Sequence, residues 1–81
     1  MREWVTGRNP VYEVLRARRR HVFRLVLARG LKIEGQLTEA LRLAKLRGLT
    51  AEEAPRDRLD ALSSHHQGVA LEVSEYPYAA L

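Results

Sequence analysis

The sequence predicts a small α/β domain in which helices pack against a four-stranded sheet, mixed or mostly parallel. The 81 residues are 46% hydrophobic and 30% charged, a composition typical of one globular domain near the lower size limit for independent folding. Short β-branched runs alternate with amphipathic stretches, which gives the order β-α-β-α-β-α-β. Helical crossovers of this length favour parallel neighbours in the sheet.

The first strand and the first helix are separated by a turn around Gly7. We expect a short strand over residues 3–6. Asn9 is a favourable N-cap, and Pro10 suits the first helical position because its missing N–H costs nothing there. The apolar residues that follow recur at helical spacing and predict a short amphipathic helix. They are Val11, Val14 and Leu15.

The centre of the chain contains the clearest strand and the longest helix. Residues 22–28 are apolar and β-branched apart from one arginine, as in a strand covered on both faces. Residues 35–47 predict a helix that ends before Gly48, a glycine placed as expected just beyond a helix C-terminus. The buried stripe of this helix comprises Leu37, Ala40, Leu41 and Ala44.

The last third of the chain predicts a strand, a helix, a loop and a strand. A short strand over residues 49–53 precedes Pro55, which opens a third helix with Leu59 and Leu62 directed inward. A loop over residues 63–68 leads to the final strand over residues 69–73. The core-facing side chains of that strand are Val69, Leu71 and Val73. We expect the domain to span residues 1–75 and residues 76–81 to begin a linker.

The charge of the chain favours a nucleic-acid partner. The formal net charge is +4, and twelve of the fourteen cationic residues are arginines, whose planar guanidinium suits phosphate contact and base stacking. Genome composition or heat tolerance would explain the same enrichment. The absence of cysteine excludes disulfides and thiolate zinc sites. With no signal peptide and no apolar run of membrane-spanning length, we expect a cytoplasmic protein without a membrane partner.

Two short segments, one near each end of the chain, form a pair. Gly7-Arg8-Asn9-Pro10-Val11 leads into a helix, and His66-Gln67-Gly68-Val69-Ala70 leads into a strand. With the valine-rich strand and leucine-rich helix between them, these segments resemble the N-terminal substrate-binding domain of SpoU/TrmH-type RNA ribose 2'-O-methyltransferases. The resemblance covers the chain from about Val5 to Val73. Neither segment is specific alone, and their order and spacing carry the match.

The resemblance implies a small α/β/α layered domain, similar to kink-turn-binding ribosomal proteins, that binds structured ribosomal or transfer RNA rather than DNA. It also implies a separate catalytic domain, trefoil-knotted and homodimeric, that uses S-adenosylmethionine to methylate a ribose 2'-hydroxyl, usually of guanosine. The cofactor motifs of that domain do not occur in this sequence. We therefore expect no catalytic residue, metal or cofactor in this chain, and S-adenosylmethionine only in the catalytic domain of its parent.

Gly7, Arg8 and Asn9 are the leading candidates for RNA contact. A glycine before a helix lets a phosphate approach the free N–H groups of the helix N-terminus. Arg8 could add a bidentate contact to a phosphate or to guanine. Alternatively, Gly7 serves the turn, Asn9 caps the helix and Arg8 is solvated. We favour capping for Asn9 and RNA contact for Arg8.

Two further groups are weaker candidates for RNA contact. A cluster of arginines at the end of the first helix could contact phosphates or could stabilise the helix C-terminus. It consists of Arg16, Arg18, Arg19 and Arg20. His66 can stack on a base and Gln67 can hydrogen-bond a base edge, although we favour a structural loop in which Gly68 supplies an unusual backbone angle. Metal binding by His65 and His66 is disfavoured, because adjacent histidines rarely share one ion.

Three functions are compatible with these patterns. The favoured one is an RNA-binding module of a methyltransferase. The second is a domain that docks to the catalytic domain or to a partner protein and contacts little RNA. A free-standing enzyme is disfavoured, because the chain has no phosphate-binding glycine motif and Glu52 and Glu53 should point to opposite faces of a strand. Trp4, Tyr12 and Phe23 are expected to pack in the core.

Overall fold

A computed structural model describes residues 2–75 and contains seven elements in the predicted order. They are β1 (Arg2–Thr6), α1 (Arg8–Ala17), β2 (Val22–Ala28), α2 (Gln36–Leu46), β3 (Ala51–Ala54), α3 (Arg56–Asp60) and β4 (Val69–Ser74). The predicted linker over residues 76–81 lies outside the described residues, so the boundary between domain and linker stays a prediction.

The four strands form one mixed sheet in the order β1-β4-β2-β3. β2 and β3 are parallel, whereas β4 is antiparallel to both of its neighbours, β1 and β2. The prediction of a mixed sheet is confirmed. The mostly parallel alternative is wrong, because the last strand inserts between two strands that run in one direction. β4 suits this central place because four of its six residues are buried and these include both faces.

Side-chain alternation along the strands divides the core into two layers. Val69, Leu71 and Val73 pack, as predicted, in the layer that contains the buried residues of α1 and α2. Ala70 faces the other side of the sheet and packs in a smaller layer with Leu59 of α3. The α/β/α layering is therefore confirmed.

α2 and its C-terminus agree with the sequence. The predicted stripe is fully buried at three positions, which are Leu37, Ala40 and Ala44. Leu41 packs, partly buried, at the margin of the same layer. Gly48 has a φ of 78° just beyond the helix, the left-handed conformation that ends helices and that glycine adopts without strain. None of the helices in residues 2–75 is long and apolar enough to cross a membrane.

Three local features differ from expectation or refine it. Leu62 is 40% exposed, because α3 ends at Asp60 and the helical spacing that would direct Leu62 inward no longer applies. Trp4 and Tyr12 pack against the two core layers as expected. Phe23 is only partly buried and lies under the Arg2 guanidinium, 3.7 Å from the ring centre.

Candidate nucleic-acid interface

Both of the paired sequence segments lie at one end of the sheet, where strands finish or begin. Below, an edge of the sheet means such an end and not an edge strand. β1, β2 and β3 end at this edge and β4 begins there, since Thr6 pairs with Ala70 and Ala28 pairs with Ala54. We call this region, made of residues 7–9 and 65–68, the loop edge. It brings together chain positions about sixty residues apart, because β4 is hydrogen-bonded directly to β1.

The start of α1 corrects the predicted capping. The N-cap is Gly7, with a φ of 96°, and no side chain of the N-cap itself caps the helix. Asn9 is an exposed second residue of α1 rather than its cap, and Pro10 occupies the third position rather than the first. The prediction failed because the positive φ of Gly7 turns the chain straight from β1 into the helix, leaving no room for a preceding cap residue.

The first N–H of α1 is satisfied from the far end of the chain. The Arg8 N–H donates to Oε1 of Gln67 at 2.8 Å, so a glutamine side chain does the work of a cap residue. The N–H of Gly7 donates to the Val69 carbonyl at 3.1 Å and the N–H of Val11 to the Gly7 carbonyl at 3.1 Å. Pro10 has no N–H. Among the residues that the structure describes, the Asn9 N–H has no acceptor and is left in the first turn to donate to a ligand.

A tight turn over residues 66–69 holds Gln67 in place. The Val69 N–H donates to the His66 carbonyl at 3.0 Å. Gln67 and Gly68, at the two central positions, have φ values of 52° and 82°, the signature of a type I′ turn. The prediction that Gly68 supplies an unusual backbone angle is thus confirmed. A Cβ at Gly68 would also lie 2.6 Å from Cδ1 of Leu31, so the turn packs closely on the loop after β2.

His66 is buried, with 3% of its surface exposed. Its Nδ1 accepts the N–H of Gly68 at 2.7 Å, and its Nε2 lies 2.6 Å from Oδ1 of Asp60. Because a backbone N–H can only donate, Nδ1 is unprotonated and Nε2 donates its proton to the Asp60 carboxylate. The ring therefore has both nitrogens engaged inside the protein, which agrees with the structural role favoured for it from the sequence.

Three arginines lie along the end of the sheet that contains the loop edge. Arg8 is partly exposed, and no ion pair to it occurs within residues 2–75. Arg29 directly follows β2, and Arg56 opens α3 just after β3, so both lie where strands end at this edge. Both are exposed. Neither residue was predicted as a site from the sequence, although Arg29 directly follows the predicted strand over residues 22–28 and Arg56 lies three residues beyond the next one.

The arginine cluster lies at the other end of α1. We call residues 16–20 the arginine edge. A ten-residue helix is about 15 Å long, so this cluster and Arg8 occupy opposite edges of the sheet. Two of its members are paired: Arg16 with Glu13 at 3.6 Å, and Arg20 with Glu3.

The remaining arginines of that cluster are less constrained. Arg18 has a φ of 56° and ends α1 as its C-cap, donating its N–H to the Val14 carbonyl. Arg18 and Arg19 are exposed, and within residues 2–75 neither has an ion-pair partner. The carbonyl of Arg20 accepts a bond from the Arg47 guanidinium at 2.9 Å, so part of the cluster helps tie α2 to the end of α1.

The shifted pKa values belong to ion pairs outside the loop edge. A bidentate hydrogen bond and the positive charge of Arg24 lower the pKa of Glu52 on β3. A hydrogen bond and the charge of Arg42 lower the pKa of Glu39 on α2. Neither pair has the raised carboxyl or lowered lysine pKa that marks acid–base catalysis. Within residues 2–75, no group of three or more potential metal ligands occurs.

The chain matches a family described as "RNA 2'-O ribose methyltransferase substrate binding" over residues 4–79. It is similar to three named relatives. An uncharacterized tRNA/rRNA methyltransferase of Mycolicibacterium smegmatis is 43% identical over 79 residues, and one of Mycobacterium sp. (strain KMS) is 42% identical over 79 residues. A Bacillus subtilis protein whose name places it among TrmH-family tRNA/rRNA methyltransferases is 36% identical over 80 residues.

These relatives are much longer than the matched region. The alignments cover 95% to 98% of this chain but only 25% of the two mycobacterial relatives and 31% of the Bacillus protein. The chain therefore spans between a quarter and a third of the length of the relatives it matches.

Proposed function

The chain belongs to the family of RNA 2'-O-ribose methyltransferase substrate-binding domains, and on that premise we propose that its loop edge binds ribosomal or transfer RNA directly. The bond from the Arg8 N–H to Gln67 Oε1, 2.8 Å long, carries this proposal. It joins the two segments that the sequence analysis singled out for RNA contact into one surface. It uses only the backbone of Arg8, whose side chain has no ion-pair partner in the part of the chain that the structure describes.

The chemistry of the loop edge suits a phosphate backbone. The N-terminus of α1 presents partial positive charge, and the neighbouring N–H of Asn9 can donate to a phosphate oxygen. Arg8 can form two parallel hydrogen bonds with the same group. Arg29 and Arg56 add positive charge further along this edge, after β2 and β3, so the edge attracts RNA over a wider area than one phosphate.

Within this surface the candidate residues have different roles. Gly7 shapes the backbone and Arg8 contacts RNA, with Asn9 exposed beside it. Gln67 acts mainly through the backbone of α1, and the buried His66 acts through the loop. Arg16, Arg18, Arg19 and Arg20 lie on the opposite edge. We assign them at most a non-specific attraction for an RNA long enough to reach both edges.

The catalytic step belongs to the parent protein. The greater length of the relatives supports a separate catalytic domain that uses S-adenosylmethionine and transfers its methyl group to a ribose 2'-hydroxyl. We propose that residues 76–81 begin the connection to that domain, that the parent dimerises through it, and that the protein acts in the cytoplasm. In this arrangement the present chain contributes no catalytic residue and holds RNA so that one ribose reaches the methyl donor.

Matched arginine variants on the two edges test the proposal. RNA affinity of the 81-residue chain would be measured by fluorescence anisotropy with a ribosomal RNA hairpin, at low and at physiological salt. Arg8→Ala should weaken binding about fivefold to a hundredfold if it makes a bidentate contact. Arg19→Ala removes the same charge from the arginine edge and should reduce affinity only slightly. This small loss relative to the unaltered chain should disappear at physiological salt. Equal losses for the two variants would contradict an RNA site at the loop edge.

A separate observation favours the second candidate function, which is docking to a protein partner. A groove of about 150 Å³ lies between the sheet and α3, and its apolar part is formed by Trp4, Leu59 and the exposed Leu62. Charged side chains of both signs also line it, namely Arg24, Glu52, Glu53 and Arg58. An exposed apolar patch beside carboxylates suits protein contact better than an RNA backbone. Leu62→Asp would weaken association with the catalytic domain of the parent, measured by domain-mixing calorimetry, without changing RNA affinity. If that variant instead lowers RNA affinity, the groove belongs to the RNA surface.

A further inference from the structure

A continuous set of hydrogen bonds connects the end of α3 to the start of α1. It runs from the Asp60 carboxylate to the His66 ring, through the turn that contains Gln67 and Gly68, and on to the Arg8 N–H. We propose that Asp60, His66 and Gln67 form a positioning relay that fixes the backbone at Arg8 for RNA contact. This inference rests on the proposed function, because it concerns the residues that shape the same RNA-binding edge.

The first step of the relay is the orientation of an imidazole. His66 has a side chain that is 4% exposed, while Asp60 is 60% exposed at the last position of α3. The carboxylate accepts from Nε2 and so holds the proton on that nitrogen, leaving Nδ1 as an acceptor. Without Asp60, the buried Nε2–H would lose its acceptor and the ring would lose the contact that sets its orientation.

The second step passes from the ring to the turn. Nδ1 of His66 accepts the Gly68 N–H at 2.7 Å, which fixes the peptide between the two residues with positive φ. Asparagine, aspartate and glycine dominate such positions, whereas Gln67 has to adopt a left-handed φ of 52°. The ring therefore stabilises a backbone conformation that the sequence of the turn does not favour by itself.

The third step positions the Gln67 side chain at the N-terminus of α1. With the turn fixed, Oε1 of Gln67 lies 2.8 Å from the Arg8 N and contacts the position that a Cβ on Gly7 would occupy, at 3.5 Å. Gln67 is exposed, so little packing restrains its side chain apart from these contacts. Its position depends on the turn, and through the turn on His66 and Asp60.

Two charge-matched variants of Asp60 isolate the hydrogen bond. Asp60→Ala and Asp60→Asn both remove one negative charge, but the asparagine carbonyl can still accept from Nε2 of His66. Two quantities would be measured on the 81-residue chain: amide hydrogen exchange at Arg8 and Gly68 by NMR, and RNA affinity by anisotropy. Asp60→Ala should speed exchange at both amides about three- to tenfold, as for one lost hydrogen bond, and weaken RNA binding by a similar factor. Asp60→Asn should stay close to the unaltered chain in both.

His66→Leu provides a second way to break the relay. Leucine keeps a buried apolar side chain, but it has no nitrogen to accept the Gly68 N–H or to donate to Asp60. Exchange at Arg8 should rise at least as much as in Asp60→Ala. Combining the two changes should add almost nothing, because both act through one connection.

The outcomes separate the relay from the proposed function. Unchanged exchange at Arg8 in Asp60→Ala, or fully additive effects in the double variant, would overturn the relay. Faster exchange without loss of RNA affinity would also overturn it as a positioning device. In that case, Arg8→Ala decides whether the RNA site itself stands: a loss of affinity there retains the site, and no loss removes it.

Discussion

The loop edge and the arginine edge, at the two ends of α1, hold positive charge in different ways. At the arginine edge four arginines lie within five residues of sequence, yet Arg16 and Arg20 are paired with glutamates. At the loop edge, Arg8 has no cation among its neighbours in sequence. It is unpaired within residues 2–75, and Arg29 and Arg56 follow strands that end at the same edge of the sheet.

Cation density along a sequence is therefore a poor guide to a binding surface. A cluster beside glutamates loses part of its charge to internal ion pairs, and each exposed pair contributes little stability in return. A single arginine on a backbone held by long-range hydrogen bonds has a defined position, and a defined position is what bidentate contact with phosphate or guanine requires. For this reason we propose RNA recognition at the loop edge and only general attraction at the arginine edge.

The largest expected effect comes from the turn that shapes the loop edge. Gly68→Ala should destabilise the chain by about 2–4 kcal/mol, combining left-handed strain with the clash against Leu31. Gly30→Ala is its control, since Gly30 has a similar φ of 79° but open space around its Cβ position, and should cost about 1 kcal/mol. Urea unfolding measures both. Equal costs would show that Leu31 does not pack on the turn as described.

The next effect separates the contribution of Gln67 to stability, as a cap of α1, from its influence on RNA affinity. Gln67→Glu keeps an acceptor for the Arg8 N–H and adds negative charge at a helix N-terminus, so stability should be unchanged or rise by about 0.3–1 kcal/mol. The same charge repels phosphate, so RNA affinity should fall about fivefold to tenfold at low salt. Thermal unfolding and anisotropy would be measured on the same samples. A variant that loses stability would contradict the capping role of Gln67. A variant that keeps its RNA affinity would contradict the proximity of Gln67 to bound phosphate.

A smaller effect is expected when an ion pair at the arginine edge is removed. Glu3→Gln removes the carboxylate paired with Arg20 and should lower stability by less than about 1 kcal/mol. It frees one more cation, so RNA binding should become more salt-dependent, with the slope of log K against log salt steepening by less than about one. Sequence preference among RNA hairpins should not change. A new preference for one hairpin would show that the arginine edge takes part in recognition.

The smallest effect concerns acid stability away from both edges. The pKa values of Glu39 and Glu52 are lowered in the folded chain by their arginine partners. A carboxyl group with a lowered folded pKa stabilises the fold above its unfolded pKa, and this contribution is lost as the pH falls through the folded pKa. Stability should therefore decline slightly on acidification below the ordinary glutamate pKa, and less so in the Glu39→Gln, Glu52→Gln double variant. Urea unfolding across an acidic pH series would be measured for both proteins. Identical dependence of stability on pH in the variant and the unaltered chain would contradict this prediction.

Much of the fold was predictable because it follows from local pattern. The apolar run of β2, the stripe of α2 and the glycine after it each encode their element within a few residues, and the strand of residues 22–28 has the predicted bounds. The place of β4 in the sheet was not predictable in this way. Crossover lengths favour parallel neighbours, and only the burial of both faces of β4 explains why it lies at the centre.

The candidate site was predictable as two segments but not as one surface. The resemblance selected Arg8 and Gln67, yet no local rule shows that a glutamine 59 residues away caps the first turn of α1. The expectation that Asn9 would cap was wrong for the same reason, since cap preferences describe neighbours in sequence and the cap here is tertiary. The pairing of Arg20 with Glu3 could not be predicted from the sequence either, because it depends on how β1 and the end of α1 are placed in the fold.

RNA recognition at the loop edge would be tested by an NMR titration of the 81-residue chain with structured ribosomal and transfer RNA hairpins, at low and at physiological salt. We predict amide shift changes concentrated at residues 7–9 and 67–68, stronger for one hairpin and retained at physiological salt. Residues 16–20 should show only weak changes that salt removes. Shift changes spread evenly over the arginines of both edges and abolished by salt would contradict recognition at the loop edge.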